Sequence, residues 1–140
     1  MPAARTELIS KGVHYLHNPA HRDNTPDKSQ WIITEEAEQN SFRMALNKVW
    51  LLPSTGWGLH FEDSKPAYLG LAQDHHTPVF VAKFVNDRKQ DNNFWHGYPA
   101  DHQNNSQDIP AVGILNKWMA EKVLPAPKIR KILKGQPCNL

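Results

Sequence analysis

Residues 34–50 read TEEAEQNSFRMALNKVW, and this stretch decides the fold class. Thr34 is a good N-cap, because its hydroxyl can accept from a free amide of the first helical turn. Glu35 and Glu36 then sit at the positive end of the helix dipole. Phe42, Ala45, Leu46, Val49 and Trp50 follow at helical spacing, which predicts an amphipathic helix over about 35–52 with one apolar face. Pro53 and Gly56 stop it.

Downstream the period changes from helical to two. Trp57-Gly58-Leu59-His60-Phe61-Glu62 alternates apolar with polar or small residues, and Ala67–Ala72 and Val79–Val85 are β-rich runs. Turn-like segments separate them, Asp63-Ser64-Lys65-Pro66 and Gln73–Pro78. Trp31-Ile32-Ile33 reads as a further short buried strand, and 18–30 as loop around Asn18-Pro19 and Pro26. Beyond the strands, Val112, Leu115, Trp118 and Met119 form a helical stripe. Leu124-Pro125-Ala126-Pro127 breaks the chain, and Lys128–Lys134 makes a second short helix closed by Gly135. The expectation is an α+β fold and one domain over 1–140. A small antiparallel sheet of three to four strands packs on the 35–52 helix, with two short C-terminal helices.

Composition narrows the function classes. The chain has 140 residues, 39% of them hydrophobic and 21% charged, which is globular rather than disordered. Its apolar stretches are strand-length, which predicts no membrane span. Met1–Glu7 lacks a signal-like apolar run, and the single cysteine, Cys138, has no partner for a disulfide or a zinc site. Both features point to a cytoplasmic location. Net charge is only +2, but from Lys117 onward six bases face one acid.

The chemistry-bearing candidate is Trp95-His96-Gly97-Tyr98-Pro99-Ala100-Asp101-His102, read as a stiff loop between the last strand and the C-terminal helices. Gly97 and Pro99 fix its backbone. His96 and His102 are suited to acid, base or metal work, and Asp101 to orienting them. The bland alternative is an aromatic plug holding a polar loop to the core. Eight histidines are scattered with no metal-ligand spacing, so neither a metal site nor a cofactor is expected. No serine lies in a nucleophile elbow, and no glycine-rich phosphate loop exists.

Three functions follow from these residues. The first is a non-catalytic accessory protein, of inhibitor or immunity type, docking a protein partner through exposed Trp95 and Tyr98. The second is a small hydrolase or nuclease using His96, Asp101 and His102, with His75 or His76 and a cation such as Lys83 or Arg88. The third is a nucleic-acid binder using Lys128, Arg130, Lys131 and Lys134 on the last helix.

Overall fold

A computed structural model describes residues 5–88 and 92–140. In chain order the strands are β1 (Arg5–Ser10), β2 (Val13–His17), β3 (Gln30–Trp31), β4 (Thr55–Glu62), β5 (Lys65–Ala67), β6 (Gly70–Leu71), β7 (Pro78–Val79), β8 (Val81–Asn86) and β9 (Asn93–Pro99). The helices are α1 (Glu35–Asn47), α2 (Val112–Ala120) and α3 (Ala126–Leu133), with 3-10 turns at Pro19–His21 and Ser106–Asp108. Among the described residues no helix is long and apolar enough to cross a membrane.

The class is α+β, but the main sheet is larger than the sequence suggests. It has six strands in the order β1-β2-β9-β8-β4-β5, and it is mixed, because β2 runs parallel to β9. The expected meander is interrupted. The 67–72 run splits, β5 pairing with β4 while β6 joins β3 and β7 in a separate three-stranded sheet. The first five residues of the segment read as a stiff loop, 95–99, belong to the strand β9, wedged between β2 and β8. Its glycine and proline looked like turn formers. Gly97 is instead needed for packing, since a Cβ there would lie 2.5 Å from Phe84 Cδ1 and 2.8 Å from the Tyr15 hydroxyl. The polar run ahead of it, 86–93, reads as loop from its composition, and residues 89–91 of that run lie outside the described residues.

One face of the main sheet is closed by α1. Tyr15, Phe84 and Trp95 gather around Phe42 of the helix, with ring centroids 5.0, 5.2 and 5.7 Å from it. Each such aromatic contact contributes about 0.5–1.5 kcal/mol beyond area burial. Trp50, just past α1, meets Trp118 of α2 edge to face at 5.6 Å and ties the C-terminal helices to the helix end.

Helix α1 begins as expected, with Thr34 Oγ1 accepting from Ala37 N. It ends at Asn47, earlier than the apolar stripe suggests. Trp50 N donates to Ala45 O and Val49 N to Leu46 O, which is the paired closure of a Schellman motif. That motif puts Val49 at φ 60°, a left-handed conformation costly for a β-branched side chain. Val49 is 62% exposed, so little packing opposes a change. Val49→Gly is expected to stabilise the fold by about 1 kcal/mol, the strain relieved exceeding the extra chain entropy. A urea midpoint that falls in the variant would contradict this account.

Candidate active site

The period of two along β9 sends Trp95, Gly97 and Pro99 to the α1 side, where they are buried, and turns Phe94, His96 and Tyr98 to the other face. On that face Tyr98 is paired with Lys83 of β8, and Lys83 with Trp57 of β4. The 3-10 turn Ser106–Asp108 lies across this row. Asp108 Oδ1 accepts from the Tyr98 hydroxyl at 2.8 Å, and Oδ2 from Asp101 N at 2.8 Å. Its main-chain oxygen accepts from Trp57 Nε1 at 3.0 Å. Lys83 Nζ stands 3.8 Å from Oδ1 and donates to Gln107 O at 2.6 Å. Burial, and then the Asp108 carboxylate beside it, push the Tyr98 phenol well above its ordinary pKa. The hydroxyl therefore keeps its proton.

The opposite wall comes from the N-terminal part of the chain. Asn18 Oδ1 accepts from Ala20 N at 3.0 Å and caps the turn Pro19–His21, whose first residue is a proline with no amide to satisfy. The turn presents His21 to β9, where its ring stacks on Tyr98 with centroids 5.3 Å apart and planes 15° from parallel. His21 Nδ1 is 2.8 Å from Ser29 O. A carbonyl can only accept, so Nδ1 carries the proton and Nε2 is the free basic nitrogen.

Burial lowers the His21 pKa below 6.5, and nearby Lys28 and His96 add to this against the opposing Ser29 hydrogen bond. Folding therefore favours the neutral ring. The resulting stabilisation is complete above pH 6.5 and is lost as pH falls through the lower folded value.

Between the walls lies a polar cleft of about 330 Å³, with His21, Lys28, His96, Tyr98 and Asp101 in its lining. That is large enough for a small ligand or a short segment of a polymer. His96 Nε2 is 3.2 Å from Asp87 Oδ2.

The sequence-chosen residues separate here. His96 and Asp101 both reach the cleft. Asp101, however, accepts from Asn104 N and Nδ2, as a carboxylate that shapes the turn. His102 is directed elsewhere: its Nε2 donates to Gln136 O at 2.8 Å, beside a small separate cavity lined in part by Cys138. His75 Nε2 donates to Lys28 O, and His76 is exposed on the 73–78 turn. Trp95 is only 4% exposed, a core residue rather than a surface anchor, and Tyr98 is half-buried in the cleft. On α3, Ile129 and Ile132 face inward and Arg130, Lys131 and Lys134 outward, while Lys128 is held by Asn139 O. His21 was missed by the sequence reading. The available signal is Asn18-Pro19, a cap followed by a first-turn proline, inside a stretch whose composition reads as loop.

A second, smaller cavity opens under the start of α1 beside Arg5, His17 and Arg22. It borders a buried polar cluster in which Glu38 accepts from the Tyr15 hydroxyl at 2.5 Å and from Arg22 at 2.7 Å. Burial opposes charge on His17, but Glu38, Gln39 and Glu35 outweigh it and raise its pKa. This cluster anchors α1 to β2 and the segment after it.

Among the described residues no three His, Cys, Asp or Glu side chains are placed to hold a metal ion. No protein family, no curated protein and no solved structure matches the chain.

Proposed function

We propose that the chain is a small histidine-dependent hydrolase or nuclease working from this cleft. The observation that carries the reading is the pair of imidazoles, His21 and His96, on the two walls of one polar cleft. His21 has its basic nitrogen free, and His96 has a carboxylate beside it. In the proposed cycle His21 Nε2 removes a proton and His96 delivers one to the leaving group. Lys28 at the rim faces the charge that develops between them. Asp108 and Tyr98 are positioning residues, since they hold the floor on which His21 stacks.

Outside the cleft lining, the outward bases of α3 offer a face of the kind that holds nucleic acid in a salt-dependent way, which suits a phosphate-bearing substrate. The docking expectation lacks comparable support, since Trp95 offers almost no surface to a partner.

The test is cleavage of bis(p-nitrophenyl) phosphate and of mixed RNA and DNA oligonucleotides by the wild type and by His76→Ala, a surface control. Both should cleave at least one of these substrates, and oligonucleotide binding should weaken steeply between low and moderate salt. If none of these phosphodiesters is cut, the reading is wrong.

A further inference from the structure

Resting on that reading, we infer that the substrate of the cleft is single-stranded RNA, whose own 2′-hydroxyl is the nucleophile. The argument starts from what the lining can attack with. Its hydroxyls are Ser29 and Tyr98. Tyr98 donates to Asp108 and holds its proton. Ser29 meets His21 through its main-chain oxygen at Nδ1, and no hydrogen bond joins the Ser29 hydroxyl to the basic Nε2. Cys138 belongs to the other cavity, and burial raises its thiol pKa despite nearby Lys128 and Lys131. The nucleophile therefore arrives with the substrate or as water.

Magnitudes separate these two. An acid and a base contribute roughly 10²–10⁴ each. Attack of external water on a phosphodiester needs far larger acceleration. A hydroxyl already tethered beside the phosphorus brings an effective molarity that reaches about 10⁵–10⁸ M. Two imidazoles suffice only for the tethered case.

The step balances without a co-reactant. His21 Nε2 takes the 2′-hydroxyl proton, the O2′–P bond forms, the P–O5′ bond breaks, and the His96 proton goes to O5′. The products are a 2′,3′-cyclic phosphate and a free 5′-hydroxyl, and the two rings exchange their protons with solvent before the next turnover. Recognition groups suited to unpaired bases are present as well. Asn18, Gln73, Asn105 and Gln107 line the cleft; Asn18 Oδ1 already accepts from Ala20 N, Asn105 Nδ2 donates to Gln73 Oε1 and Gln73 Nε2 to Asp27 O, and the donor and acceptor sites left over suit base edges.

The experiment uses the full chain and three substrates: a DNA oligonucleotide with one internal ribonucleotide, the same oligonucleotide as all-DNA, and bis(p-nitrophenyl) phosphate. The expected result is a single cut, directly 3′ of the ribonucleotide, at least roughly 10³ faster than any cut in all-DNA. The new end should be a cyclic phosphate, lighter by one water than the linear form. Comparable cutting of all-DNA, or a linear phosphate that carries solvent ¹⁸O from the first turnover, would overturn the RNA inference and leave the acid–base hydrolase standing. Cleavage of bis(p-nitrophenyl) phosphate alone would do the same. Failure to cut any of the three would overturn both.

Discussion

Replacing either cleft histidine with alanine is expected to lower kcat/KM for the cleaved substrate by roughly 10²–10⁴, with the fold intact. The double variant is expected to lose little more than the worse single one, because an acid and a base serving one transition state act as a unit. The pH profile distinguishes a chemical role from a merely structural one. The pKa of His21 is held below 6.5, so in the wild type activity should fall on the acid side only below about that pH. The His21→Ala variant should lack this acid limb, and the His96→Ala variant should keep it at a lower rate. Single variants with wild-type rates would remove both residues from the mechanism, and an unaltered profile in His21→Ala would remove His21.

The second large effect is on stability. Asp108→Ala is expected to cost about 3–5 kcal/mol, because it strands a buried lysine. Lys83 is 8% exposed and would keep Gln107 O but lose its only nearby carboxylate among the described residues. The Tyr98 hydroxyl and the Asp101 amide would lose their acceptor at the same time. A loss of that size lowers the melting temperature by on the order of 10 °C or more in a chain of this length. Adding Lys83→Met should recover part of it, since removing both charges is milder than orphaning one. A single variant within 1 kcal/mol of wild type would show that Asp108 does not hold this wall together.

What the sequence revealed and what it concealed have a common cause, the range of the interactions. The start of α1 was legible, because Thr34 and its apolar face act within a few residues. The core strands β4 and β8 were legible from composition and alternation. The parallel pairing of β2 with β9 was not, since it joins residues about 80 apart and leaves no local pattern. The same distance concealed half of the candidate site. His96 stands out by its sequence neighbours, but the imidazole that lines the same cleft is His21, brought there by a capped turn and the sheet order. His102 was chosen for its closeness in sequence, and the turn after β9 carries it away to Gln136. Trp95 illustrates the converse: inside a strand, alternate residues face opposite sides, so the indole beside a cleft histidine must point into the core.

The parallel partnership of β2 and β9 also bears on the order in which the molecule comes into being. A ribosome releases the chain at about 5–20 residues per second, so His21 emerges several seconds ahead of His96 and of the Asp108 segment that completes the floor. Until those later residues arrive, β2 has only its hairpin neighbour β1 to pair with, and no pocket exists. On the proposed reading, the cleft has no chemistry to offer until residues 96–108 have emerged and β9 has paired with β2.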